Sequence, residues 1–249
     1  NAAPPSAGAG FPHVTHFDNV ACQHRMLTEE FGIERIRLVA GWSMGGSQSY
    51  QWAAQYPDMV DAIVPFCASA RGSPHNYVFL AGVKAALQAD GDWNGGRYER
   101  PPERGLRAFG RAYCGWVYSQ TWFREERYRD LGFETVEAML DDWERDHLEW
   151  DANDLLAKIW TWQHCDIGAN ARYGGDFAKA LGAIRARAIL IPCTTDLYFP
   201  PADNEIEARM MPNAAFRPFD SIWGHAVASG NNDPSFQRFL DEAFAEAMA

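Results

Sequence analysis

Several familiar features are missing from this sequence, and each absence closes off a class of function. No stretch approaches the roughly 18 consecutive apolar residues of a membrane-spanning helix, and no charged-then-apolar signal opens the chain, so no membrane partner is expected. Positive charge is not in excess. The 22 Lys and Arg stand against 33 Asp and Glu, a formal charge of -11, which repels phosphate backbones and anionic headgroups and excludes a nucleic-acid partner. Cysteine is scarce and unpaired in pattern: Cys22, Cys67, Cys114, Cys165 and Cys193 are odd in number and form no CxxC. That rules against a disulfide framework or a zinc knuckle and favours reduced, partly buried thiols in the cytoplasm. HExxH, Walker and GxGxxG sequences are absent, and DANDLL at Asp151 lacks the Gly and terminal Glu of a calcium loop. His13, His16 and His24 have no acidic ligand set beside them and read as solvated histidines of a linker. Neither a metal nor a bound cofactor is expected.

What is present is a chain of 249 residues with 47% hydrophobic content, enough to bury one substantial core. The opening NAAPPSAGAGFP reads as a Pro, Gly and Ala linker. Asp18 then caps an amphipathic helix that Gly32 stops. Ile36 to Gly41 is a short apolar run closed by a glycine, and WSMGGSQSYQWAAQYPD continues with helical composition to Pro57. Ala62 to Cys67 reads as a buried strand with Pro65 near its end. From Pro74 to about Ala180 the pattern turns to aromatic-rich helices, and sheet character returns in ARAILIPCTTD and AAFRPFDSIWGH. The expected fold is α/β with a mostly parallel central sheet. Residues 1–74 would carry the linker, a helix, the strand-elbow-helix and the following strand. Residues 75–180 would form a helical lid, and residues 181–249 the rest of the core.

Gly41-Trp42-Ser43-Met44-Gly45 matches GxSxG between a predicted strand and a predicted helix, the setting in which such a serine projects above the sheet from a tight turn. The backbone N–H of Met44 can then serve an oxyanion hole. A serine hydroxyl needs a base, and the base an orienting carboxylate. Asp196 follows the apolar run AILIPCTT, and His225 follows SIWG, so Ser43, Asp196 and His225 stand in the order Ser, Asp, His of α/β-hydrolases. Asp203 and Asp220 are weaker substitutes for the acid. His147 and His164 fall in the helical insertion and read as lid residues. The 10 Trp, many of them in the insertion, suit its core and an acyl-lined tunnel.

The segments GWSMGGSQSYQWAAQYPDMVD, SARGSPHNYVFLAGVKAALQADGDWNGGRY, WDANDLLAKIWTWQHCDIG and TTDLYFPP resemble the homoserine O-acetyltransferase family of α/β-hydrolases over nearly the whole chain. The resemblance implies Ser43 as the acyl-accepting nucleophile, His225 as base, Asp196 as its acid, a lid forming a substrate tunnel, and a homodimer. It breaks at Ala226, where family transferases carry the Asp that helps hold the homoserine amino group. It also breaks before Ser43, where only about forty residues stand in place of several strands and the second oxyanion donor. An additional amino-terminal segment or companion fragment is therefore expected. The function expected is serine-dependent acyl transfer through acyl-Ser43 on a small ester, thioester or alcohol substrate. The reading is open between an ester hydrolase and an O-acetyltransferase with an acceptor other than homoserine. Acetyl-CoA-dependent homoserine acetylation, with acetyl-CoA as co-substrate, and a non-catalytic binding protein are the alternatives.

Overall fold

The computed structural model describes residues 7–230 and 232–249; Asn1 to Ser6, half of the expected linker, lie outside the described residues. In chain order the helices are α1 (His16–Arg25), α2 (Met44–Gln55), α3 (Pro74–Gln88), α4 (Glu103–Val117), α5 (Gln120–Arg124), α6 (Val136–His147), α7 (Ala152–Gln163), α8 (Phe177–Gly182), α9 (Pro201–Met210) and α10 (Pro234–Ala247). The strands are β1 (Val39–Trp42), β2 (Ala62–Phe66), β3 (Arg187–Leu190) and β4 (Ala214–Phe216). Two compact units result: a core unit of residues 15–72 and 164–249, and a helical unit of residues 1–14 and 73–163. Among the described residues no helix is long and apolar enough to cross a membrane.

In the core unit the four strands are parallel and lie in the order β1-β2-β3-β4. Apart from Arg187, which opens β3 exposed and bonds to Glu246 of α10, the interior strands are apolar, as a parallel sheet covered on both faces requires. Ile63, Ala188 and Leu190 pack with Tyr50, Ala53 and Ala54 of α2 on one face. Ala62, Val64, Ile189 and Ile191 point the opposite way, towards Leu240 and Ala243 of α10. The alternation is the two-residue period of a strand. Pro65 is the penultimate residue of β2, as expected, and its carbonyl still accepts from the Ile191 N–H at 3.1 Å. β1 has a strand partner on one side only among the described residues.

The first helix differs from expectation in its cap. Thr15, not Asp18, is the N-cap: its hydroxyl accepts from the Asp18 N–H while the Asp18 carboxylate accepts from the Thr15 N–H at 2.8 Å. Two capping residues three apart read alike in sequence, and the reciprocal box uses both.

The helical unit contains no strand among its described residues, as its composition predicts. Ser73, Ser119 and Thr135 cap α3, α5 and α6 through their side chains. α4 lies tightly between neighbours because it carries glycine where they approach. A Cβ at Gly105 would meet the Leu87 carbonyl of α3 at 2.4 Å, and one at Gly110 the Trp143 carbonyl of α6 at 2.7 Å. The unit ends at Gln163 rather than near Ala180. The reason is burial: Ile167, Tyr173 and Ala180 join the apolar layer under α2, and the irregular segment bearing Ile167 and Tyr173 has no periodicity to announce where it packs. The described part of the opening also departs from a free linker, since Gly8–Gly10 form a 3-10 turn and the Val14 carbonyl accepts from the Thr161 hydroxyl at 2.7 Å.

Candidate active site

Ser43 follows β1 directly and begins α2 with φ +57°, a left-handed conformation that costs a residue with a side chain about 1–3 kcal/mol. The sequence around it permits the turn. A Cβ on Gly41 would lie 2.4 Å from the Gly45 carbonyl carbon, and one on Gly46 would lie 2.5 Å from the Ala68 Cβ. The Ser43 N–H donates to the Phe66 carbonyl at 3.1 Å, fixing the elbow to β2. Its side chain is thereby aimed away from the helix it starts.

His225 Nε2 lies 2.9 Å from Ser43 Oγ, and His225 Nδ1 lies 2.8 Å from Asp196 Oδ2. The other carboxylate oxygen of Asp196 accepts from the Tyr198 and Phe199 N–H groups at 2.8 and 3.2 Å. The Asp196 side chain is wholly buried, and a carboxylate facing Nδ1 can only accept, so that nitrogen donates and the Nε2 lone pair is left towards the serine hydroxyl. The imidazole is walled by the rings of Trp42, Tyr198 and Phe199 at centroid distances of 5.1, 4.7 and 5.6 Å. Those rings restrict its rotation, and the imidazole is buried beneath them although Trp42 itself is exposed.

The loops carrying Asp196 and His225 are tied to each other. The Thr195 hydroxyl donates to the Ser221 carbonyl at 2.6 Å and accepts from the Gly224 N–H at 3.2 Å. Gly224 takes φ +62°, which turns the chain into the 3-10 segment Gly224–Ala228 bearing His225. The three residues singled out in the sequence thus converge, each at the carboxyl end of the sheet. Met44 is the first residue of α2, so its N–H belongs to the set that lacks an intrahelical acceptor. No strand precedes β1 among the described residues.

The other candidates are elsewhere. Asp203 sits in the first turn of α9, where burial raises its pKa, and Asp220 accepts from the Thr194 hydroxyl at 2.8 Å. His147 stacks on Trp143 and has Nδ1 2.8 Å from the Trp143 carbonyl, with burial lowering its pKa. His164 falls in the core unit, not in the helical insertion. Of the three amino-terminal histidines only His16 is buried, which corrects the expectation there; His13 is exposed and His24 half-buried, each with one ring face covered. His13 stacks on Trp160 at 4.2 Å, His24 on Tyr56 at 3.9 Å, and His16 is buried with its pKa lowered to about 4. Each is held by aromatic or apolar packing rather than gathered around a metal.

Sequence reasoning passed over the segment after β2. Cys67 is fully buried with φ +46°. Just beyond it, the Ser47 hydroxyl donates to the Ser69 carbonyl at 2.8 Å, Asn204 to the Ala68 carbonyl at 2.7 Å, and the Ala70 N–H to Glu207 at 2.8 Å. α2 and α9 thus both hold the loop that leaves β2. Only the apolar run ending in Cys67 hinted at it.

The pattern of the α/β-hydrolase fold matches residues 3–120. Over 246 residues the chain is 36% identical to the ethyl acetate hydrolase of Pseudomonas veronii, an alignment spanning 98% of this chain and 70% of that protein. It is 32% identical over 225 residues to the homoserine O-acetyltransferase of Chlorobaculum parvum, across 88% of this chain and 62% of that one. Among solved structures, the acetyl esterase MekB matches with a TM-score of 0.95 at 36% identity, covering 100% of this chain and 72% of that chain.

Proposed function

Because the chain belongs to the α/β-hydrolase family, among relatives that include acetyl esterases and homoserine O-acetyltransferases, we propose that it hydrolyses small acetyl esters through an acyl-Ser43 intermediate. The observation that carries this reading is the unbroken hydrogen-bonded line from Ser43 through His225 to Asp196, at 2.9 and 2.8 Å. His225 Nε2 takes the hydroxyl proton as Ser43 Oγ bonds to the ester carbonyl carbon. The resulting oxyanion is met by the Met44 N–H. Collapse breaks the ester C–O bond, and the imidazolium returns its proton to the departing alcohol. Water then gives a proton to Nε2 while attacking the acyl carbonyl, and the carboxylic acid leaves as Ser43 recovers its proton. Asp196 stays ionised throughout and supports the imidazolium.

Water is favoured over an amino-acid acceptor because residue 226, directly after the base, is a buried Ala with no carboxylate to hold an ammonium group. Similarity to the transferases keeps a second reading, acyl transfer from a donor such as acetyl-CoA to an alcohol other than homoserine. Incubation with p-nitrophenyl acetate and separately with acetyl-CoA, followed by intact-mass and product analysis with and without alcohols, separates the two. Turnover of the ester in water, with Ser43→Ala lacking both adduct and turnover, is the expected result. Acetylation from acetyl-CoA that resolves only when an alcohol is added would favour the transferase. An adduct retained in Ser43→Ala would overturn both.

A further inference from the structure

Two neighbouring strands of the sheet end in the same unusual way. Trp42 and Phe66 are paired across β1 and β2, and the next residue on each strand, Ser43 and Cys67, has positive φ, +57° and +46°. Glycine would adopt either conformation without the cost of a Cβ. At Ser43 the strain is explained by the need for a hydroxyl. At Cys67 the same local cost is borne by a side chain that is wholly inaccessible to solvent, so it makes no contact with substrate.

The environment of Cys67 offers the thiol a role. Its sulfur, a carboxylate oxygen of Asp196 and a ring nitrogen of His225 all lie within 4.8 Å of one another. The Asp196 carboxylate has its backbone donors on one oxygen and the imidazole on the other, and a carboxylate oxygen accepts more than one hydrogen. Burial, with the charge of Asp196 next, raises the pKa of Cys67 well above that of an ordinary thiol. The thiol therefore keeps its hydrogen, and a metal at this trio would have to displace it as well as the proton shared by acid and base.

We infer that Cys67 is a positioning residue whose S–H donates to the Asp196 carboxylate and fixes it against His225. This rests on the triad reading of the same site. A donor on the carboxylate stabilises the anion and so weakens its pull on the imidazolium. Removing the donor strengthens that pull, retains the proton on the base to higher pH, and loosens the carboxylate. The two effects are a shift of the acidic limb of the kcat/KM profile and a fall in kcat with little change in KM.

The test compares Cys67→Ala and Cys67→Ser with the parent enzyme on p-nitrophenyl acetate across the pH range. Turnover must first be shown to vanish in Ser43→Ala, so that failure of the triad reading is seen separately. With a weak donor lost, Cys67→Ala should move the acidic limb up by about half a pH unit and lower kcat roughly tenfold. Cys67→Ser, which keeps a hydrogen-bond donor at nearly the same volume, should return the limb to within a small fraction of that shift. Thermal unfolding of each variant identifies any that fails to fold; Cys67→Gly, which suits the positive φ of this position and also lacks the donor, takes the place of Cys67→Ala if that variant does, with the same shift expected and the same unmoved limb overturning the assignment. An unmoved limb in Cys67→Ala, or a Cys67→Ser variant displaced as Cys67→Ala should be, would overturn the assignment and leave the thiol as packing alone.

Discussion

The two units spend polarity in opposite ways. The core unit buries Ser47, Ser49, Gln51, Gln55, Ser69, Asp196, Asn204, Glu207, Ser221 and His225; Asp196 meets His225, and Ser47, Asn204 and Glu207 bond to the loop after β2. The helical unit keeps its charges outside. Arg111 pairs with Glu137, Asp141 and Glu144 on partly exposed faces of α4 and α6, and its interior is aromatic: Tyr118 stacks on Trp122 at 3.9 Å, with Phe123 and Tyr128 against the same indole. Partly exposed ion pairs contribute up to about 1 kcal/mol each. Buried polar chains cost more when broken, because a partner is left desolvated. The difference predicts that losses of chemistry come from the core unit, whose buried polar groups also make its stability depend on pH, and that substitutions in the helical unit are read in folding.

The largest effect is expected where buried polarity meets the reaction. Asp196→Asn keeps the size of the side chain but presents an amide to His225, so the imidazole turns its lone pair towards Asn and its hydrogen towards Ser43. Turnover should fall about ten-thousandfold with the thermal midpoint little changed, measured by ester hydrolysis and calorimetry on one sample. Loss of less than tenfold would break the comparison at its strongest point.

In the helical unit the matching substitution is Trp122→Ala. Trp122 is fully buried and lies in the aromatic cluster, so its removal should destabilise by about 3–5 kcal/mol. Denaturant unfolding followed by the remaining tryptophans measures this. A variant with unchanged stability and lost turnover would contradict the assignment of this cluster to folding.

How much of this could be read in the sequence follows from the kind of signal each feature leaves. The elbow was legible because a serine on a tight strand-to-helix turn needs small neighbours at fixed offsets: Gly41 has no room for a Cβ, although the second crowded glycine is Gly46 and not Gly45, around which space is open. Asp196 and His225 were legible through chain order at the ends of apolar runs. The cap at Thr15 was misplaced by three residues because Thr and Asp both cap. The end of the helical unit was missed because Ile167 and Tyr173 are buried by tertiary packing that leaves no period. Cys67 and Glu207 left the faintest trace: a cysteine after an apolar run and a glutamate in a helix are ordinary until burial and φ are known.

Glu207 offers the subtlest separation of the two units, because its effect depends on pH. It is buried on α9, and burial raises its pKa from 4.5 to about 7, although the Tyr50 hydroxyl, the Ala70 N–H and Asn204 hold that rise back. Its folded pKa lies above its unfolded one, so between about pH 4.5 and 7 the folded state holds the proton that the unfolded state has released. The stability it contributes is complete below the lower value and is lost as pH rises through about 7, with no further change above. The span corresponds to about 3 kcal/mol. Glu207→Gln cannot ionise and mimics the protonated side chain, with one oxygen to accept and one donor group. Relative to the parent, the variant should therefore gain about 2–3 kcal/mol of unfolding free energy between pH 5 and 8, taken as a difference so that all other titrating groups cancel. Urea unfolding at both pH values supplies the four numbers required. A parent-to-variant difference that is the same at pH 5 and pH 8 would mean that Glu207 is ionised in the folded protein at both. The carboxylate would then be held fully by its donors, and the buried polar chain of the core unit would be a fixed brace with no response to pH.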